Sequence, residues 1–397
     1  MATVTGDCQE TLSLVGYILI TMTDSTVATP ATSAAPAKAA KPRPRLRAMD
    51  ALRMVAALAI VVFHFTTRDN GRWGDVLPFE VFPHVSAIAR YGYAGLHLFF
   101  TISGFVILMS VWGRTPRQFI ASRVSRLYPA FWIAVLLTST LRWLSPTFSG
   151  LRPTEVLANL TMFHEPFGIQ SADGVYWTLW VEMQFYLLML ALSFFGITRR
   201  RVLATAAIVP LLGTSLVLID PHYGAQVTML SWAALFAVGM VLYVIYRDGH
   251  TWGRWALVAL NCAQALLIAW TRKAGAVDAV AAGEHTSPLI FSLVVLGVIA
   301  AVAITALVPA VRDLDWRVLT TFGALTYPLY LIHEYFGWEL IELLHPHLNK
   351  WVTLGLTIGV CVTMAWLIHR LIEEPLHRPL RQFLAGTPRV GLRPVTS

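Results

Sequence analysis

The sequence predicts an all-α fold, a polytopic membrane helical bundle of about ten transmembrane helices, on three observations. Hydrophobic residues make up 56% of the chain and charged residues 13%, about half the charge of an ordinary globular protein. Apolar runs near the length of a bilayer span recur from one end of the chain to the other. Lys and Arg alternate between the connecting segments, as in a protein whose topology is set by the positive-inside rule. The formal charge of +8 therefore reads as a topology signal rather than a nucleic-acid surface, and no nucleic-acid partner is expected. Fourteen Trp and twelve Tyr suit membrane interfaces, where amphipathic rings are favoured. Cys8, Cys262 and Cys361 form no disulfide framework and no metal-ligand spacing.

In chain order, residues 11–22 are apolar but too short to span, and they follow Asp7 and Glu10 rather than a basic leader. Residues 23–44 are rich in Ala, Thr, Ser and Pro without periodicity, so 1–44 is expected to be a disordered N-terminal tail. A transmembrane domain is expected over 45–380 and a cytoplasmic tail over 381–397. Ten spans are expected near 48–66, 94–111, 128–144, 175–196, 202–219, 227–246, 255–271, 289–308, 318–342 and 351–370. With the N-terminus inside, the inner segments hold 21 Lys and Arg. The outer segments, with Arg142 at a span edge, hold 8, and Arg53 lies within a span. Both termini are therefore expected in the cytoplasm of a multi-pass inner or plasma membrane protein.

Ionisable residues inside such spans are functional-site candidates by default. The first span carries two, Arg53 and His64, eleven residues apart. Eleven residues of α-helix rise about 16 Å and complete three turns plus roughly 20°, so both lie on one face. Glu182 falls in the fourth span and His333 in the ninth, each toward the outer side. Three helices thus bring His64, Glu182 and His333 to similar depth, and their convergence is expected. A carboxylate beside an imidazole orients it and fixes its tautomer, as general-base catalysis requires. On the inner side Arg53, Arg114, Arg117, Arg123 and Arg126 gather, and Arg123 and Arg126 share a helix face. Guanidinium forks suit phosphate oxygens.

Each feature has an ordinary reading as well. Arg53 is placed to snorkel, Arg114–Arg126 to serve as a positive-inside loop, and His64 and His333 to bond neighbouring helices. Ser103, next to Gly104, either donates a hydrogen bond or permits close helix packing, with packing the expected role. A His/Glu/His metal site lacks local ligand spacing, and no metal is expected.

The motifs resemble those of the membrane acyltransferase 3 family, integral-membrane O-acyltransferases acting on sugars. Asp50-Ala-Leu-Arg53 with the Arg-x10-His stretch to His64 resembles the first-helix signature. Phe99–Phe105 (FFTISGF), Arg123–Pro129 (RVSRLYP), Tyr176–Tyr186 around Glu182, Thr326–His333 and Ile372–Pro375 resemble the later motifs, in family order over about 45–380. Pro328 stands where other members often carry a small polar residue. The resemblance implies an acyl-CoA donor, usually acetyl-CoA, approached from the cytoplasm. It implies a glycan or glycosylated small-molecule acceptor, with His64 as catalytic base or acyl relay. It makes Arg53, Arg123 and Arg126 donor-binding candidates, with Ser103 beside them. No SGNH-type esterase-like domain is seen, so the transfer is expected to finish within the bundle. The competing expectation is a proton-coupled transporter or flippase using His64, Glu182 and His333 as a relay.

Overall fold

The computed structural model describes residues 46–220, 228–281 and 285–386. The tail expected over 1–44 lies outside them. The principal helices are α1 (Arg47–Thr66), α2 (Gly95–Val111), α3 (Pro116–Leu144), α4 (Trp177–Phe195) and α5 (Arg199–Ile219). They continue with α6 (Ala233–Asp248), α7 (Trp252–Ile268), α8 (Pro288–Leu307), α9 (Arg317–Leu344), α10 (Lys350–Ile368) and α11 (Glu374–Ala385). Among the described residues nine helical stretches are long and apolar enough to cross a membrane, where ten were expected. The tenth, α9, has 28 residues and ample length but carries Glu334, Glu339 and Glu342 in its second half. Its polarity has a structural use, developed below.

Two departures from the expected spans have local causes. The span expected at 128–144 begins twelve residues earlier, because Pro116 at the first helical position and the Thr115 side chain, accepting from Gln118 N, start α3 there. Its early turns carry Arg123 and Arg126 into the bundle as helix rather than loop, while Arg117 in the first turn stays exposed. After α7, a π-turn over Ala269–Lys273 leads straight into a further helix, Ala274–Ala281, so the chain stays helical well past residue 271.

In lipid, helices gain little from hiding apolar surface from one another, so contact rests on close packing. The crossing of α2 and α6 illustrates it. A Cβ on Gly104 would lie 2.0 Å from Phe236 O, and one on Gly239 would lie 2.0 Å from Thr101 O. Only glycine at both positions lets these backbones approach so closely. Helix α9 packs between α1 and α10, and Gly323 and Gly337 leave room for Asp50 and Phe65 of α1. Leu212, Leu293 and Leu356, on α5, α8 and α10, are exposed and give these helices apolar outer faces.

The segment before α4 matters most for the site. Ala172, Asp173, Val175 and Tyr176 are all fully or almost fully buried. Non-helical backbone at such depth needs every polar group satisfied. Arg142 supplies donors to Ser171 O (2.9 Å) and Ala172 O (3.2 Å), and Asn159 Oδ1 accepts from Ala172 N (2.8 Å). Asp173 Oδ1 accepts from Val175 N (3.2 Å), and Tyr176 Oη donates to Leu331 O (3.2 Å). Helix α4 therefore starts inside the bundle, level with residues 331–335 of α9.

Candidate functional site

Arg53 and His64 lie on α1 as their spacing requires, and they face two different cavities. His64 points toward α9. Its Nδ1 is 2.8 Å from Nε2 of His333, with the two rings stacked at a centroid distance of 5.0 Å. The other nitrogen of His333, Nδ1, is 2.9 Å from Tyr330 O. A carbonyl only accepts, so His333 Nδ1 carries the hydrogen of that bond. In neutral His333 the Nε2 is then an acceptor, and His64 Nδ1–H donates to it. That leaves the lone pair of His64 on Nε2. The tautomer of the outer imidazole is thus set by a backbone carbonyl through a second imidazole.

The Nε2 face opens on a cavity of about 680 Å³ lined by Phe63, Tyr93, Trp177 and Tyr330 with Arg68. Arg68 Nη1 stands 3.4 Å from His64 Nε2 and donates to Glu334 Oε1 at 2.6 Å, while its guanidinium lies 5.2 Å from the Trp338 ring centre. Glu334 is wholly buried, and Asp173 sits against it. Burial and the Glu334 charge hold the Asp173 carboxyl well above the usual carboxylate range. Glu334 is the carboxyl that fixes Arg68.

The second cavity, about 700 Å³, lies toward the Arg53 end and is lined by Arg53, Arg123, Arg126, Ser103, Glu182 and Tyr186 among others. Ser103 Oγ donates to Glu182 Oε1 at 2.6 Å. The Arg123 guanidinium lies 5.9 Å from the Tyr186 ring centre, and its Nε is buried without a hydrogen-bond partner. Leu96 and Tyr330 line both cavities and form the wall between them. Tyr330 is tied at its hydroxyl to Thr178 Oγ1 (2.7 Å) and at its carbonyl to His333.

Three sequence expectations are settled by this geometry. His64 and His333 converge. Glu182 does not join them: it lies in the cavity of the arginines, bonded to Ser103. The cause is the buried start of α4, which sets the whole helix deeper than a surface-starting span would lie. Ser103 acts as a donor rather than as a packing residue, since the close crossing with α6 belongs to its neighbour Gly104. Arg53, Arg123 and Arg126 share one cavity with Ser103, as grouped from the sequence. Arg114 and Arg117 instead lie at the start of α3, away from it.

Arg68, Asp173 and Glu334 were not singled out in the sequence. Arg68 follows the end of α1 by two residues, a guanidinium four positions from His64 in the sequence, and Glu334 adjoins His333 in an apolar run. Both signals were readable. Asp173 gave none, because nothing in a short polar segment announces that it folds inward.

A model of an acyltransferase domain family matches residues 46–370. The exopolysaccharide production protein ExoZ of Rhizobium meliloti (strain 1021) is 37% identical over 105 residues, which cover 24% of this chain. The match spans 32%, about a third, of the relative's own length. No solved structure matches the chain. With the family model covering every helix from α1 to α10 and the ordered motifs meeting at two adjoining cavities, the chain belongs to the membrane acyltransferase 3 family.

Proposed function

We propose that the protein moves an acyl group, acetyl foremost, from cytoplasmic acyl-CoA to a hydroxyl of a sugar-containing acceptor such as a cell-surface polysaccharide. The observation that carries this reading is the pair of cavities meeting at Leu96 and Tyr330, one lined by guanidinium groups and the other holding an imidazole whose Nε2 faces the cavity beside Arg68. Donor phosphates bind toward Arg53, Arg123 and Arg126. The unpartnered Nε of Arg123 is a donor suited to such an anion. The thioester reaches the wall at Tyr330. On the far side the acceptor hydroxyl lies against His64 Nε2, among aromatic rings that suit a sugar face.

In this scheme the hydroxyl oxygen attacks the thioester carbon and its proton passes to His64 Nε2. The resulting imidazolium keeps its Nδ1–H on His333, so the base needs no rotation to accept the proton. The tetrahedral intermediate's oxyanion lies toward Arg68, held by Glu334. The C–S bond breaks, and the thiolate takes the proton from His64. The products are an ester and free CoA. The topology follows the charge distribution, with both termini cytoplasmic.

ExoZ, by its name an exopolysaccharide production protein, supports a polysaccharide-related acceptor here. The deciding experiment uses purified protein in nanodiscs with radiolabelled acetyl-CoA and a polysaccharide acceptor, comparing wild type with His64→Ala of equal thermal stability. Loss of the general base is expected to lower turnover by about 10²- to 10⁴-fold. Retained acyl transfer by folded His64→Ala rejects the mechanism. Acceptor movement without CoA release favours a flippase, although Glu182 sits outside the histidine pair that a three-residue relay would need.

A further inference from the structure

A third recess, of about 1070 Å³, lies between the first turns of α3 and the amphipathic helix α11. It is lined by Arg114, Gln118, His377, Arg378, Arg381 and Gln382. On α11 the five contributing positions, 377, 378, 381, 382 and 385, fall on one helical face. Leu376 and Phe383 are exposed on other faces of the helix, as expected of a helix resting at a membrane surface. No acidic side chain lines the recess among the described residues. The nearby carboxylates are already engaged, Glu373 with His369 (3.0 Å) and Glu374 with Arg370.

A positive-inside signal accounts for how many basic residues lie here, but not for their arrangement. One arginine holds the helix and others face the recess. Arg117 Nε donates to Leu384 O at 3.0 Å and so fastens α11 to α3. Gly386, at φ +68°, makes that possible: a Cβ there would come within 2.4 Å of Arg117 Nη2. The recess and the donor cavity share helix α3: Gln118 lines the one, and Arg126, eight residues or about 12 Å of helix further on, lines the other.

We propose that this recess binds the ribose phosphate of the acyl-CoA donor's nucleotide, with Arg378 and Arg381 as the principal contacts. The inner arginines then hold the diphosphate of the same molecule, nearer the thioester. The inference rests on acyl-CoA being the donor. Its chemistry, guanidinium to phosphate monoester or diester, is shared with an anionic lipid headgroup, and the test separates the two.

The full-length protein is assayed in nanodiscs of phosphatidylcholine alone and with phosphatidylglycerol. The kcat/KM for acetyl-CoA is divided by that for acetyl-pantetheine, which carries the same thioester without nucleotide phosphates. In Arg378→Gln/Arg381→Gln this ratio is expected to fall about 10- to 100-fold in both lipid compositions. In Arg378→Lys/Arg381→Lys part of the loss is recovered, because charge is kept while the bidentate geometry is not. Thermal midpoints of both variants monitor the fold. A ratio unchanged by the Gln pair, or one that moves only in phosphatidylglycerol, overturns the proposal, the latter in favour of a headgroup site. A wild type that transfers acyl groups only from a donor other than acyl-CoA overturns both this inference and the reading beneath it.

Discussion

Replacing His333 by Phe tests the chain of hydrogen bonds that, in the proposed mechanism, sets the reactive nitrogen of His64. His333 is fully buried, and its ring stacks on that of His64. Phe keeps an aromatic ring there but cannot accept from His64 Nδ1–H, now 2.8 Å from His333 Nε2. A buried donor left without a partner costs about 1–3 kcal/mol. His64 escapes that cost by turning its ring or exchanging tautomers, and either change removes the lone pair from the substrate side. If the whole cost appears in the barrier, turnover falls about 5- to 150-fold. That is less than the loss expected for His64→Ala, because the base itself survives. His333→Gln retains a carbonyl acceptor and is expected to lose less than His333→Phe. The assay is thiol release in nanodiscs with acetyl-CoA and acceptor both varied. kcat should fall while the KM for acetyl-CoA, set in the other cavity, stays within about twofold. A His333→Phe protein of normal thermal stability with wild-type kcat, or one altered only in donor KM, refutes the tautomer argument.

Other consequences can be checked separately. A double-mutant cycle on Ser103→Ala and Glu182→Gln should return a coupling of about 1.5–3 kcal/mol, the range for a hydrogen bond to a charged group, measured by thermal or denaturant unfolding; coupling near zero refutes the bond. Gly239→Ala places a methyl against Thr101 O and should destabilise by about 3 kcal/mol or more, broadening the peak in size-exclusion chromatography, whereas Gly359→Ala, with open space around it, should elute as wild type. His164 is buried in the connection between α3 and α4, and burial pushes its imidazole down to about 4 from an ordinary 6.5. Above pH 6.5 both the folded and the opened segment hold it neutral. Between about 6.5 and 4 only the opened form gains a proton, so stability falls as pH falls. Protease cleavage within 145–176 should accelerate from pH 7.5 to 4.5, and His164→Gln should flatten that dependence.

What the sequence made legible, and what it hid, divides along a physical line. Arg53 and His64 share one continuous helix, so their separation and common face follow from helical geometry alone. The meeting of His64 with His333 was expected from equal depth, and it holds because α1 and α9 both run nearly full length. Glu182 went astray because depth was counted from where its helix should surface. The start of α4 is instead set by Asp173 and Tyr176, whose bonds run to α9, and by Arg142, which holds the carbonyls just before them. Tertiary contacts of that kind leave no periodicity to detect. Arg114 and Arg117 were grouped with the inner arginines by proximity along the chain. The early start of α3 separated them, giving Arg117 to the tether on α11.

A bundle hollowed from two sides faces an electrical constraint. Across an energised membrane each elementary charge is driven by about 2.3 kcal/mol per 100 mV, and cavities with polar linings invite water. Between the two hollows stand the side chains of Leu96 and Tyr330. Tyr330 is clasped at both ends, by Thr178 and by His333. Its rigidity is therefore a matter of insulation as well as alignment. On the proposed topology, a thioester must meet a hydroxyl across this partition without opening a conduit for protons. Trimming Tyr330 to a small residue is expected to open a proton leak, seen as a fall in the membrane potential of cells carrying the variant.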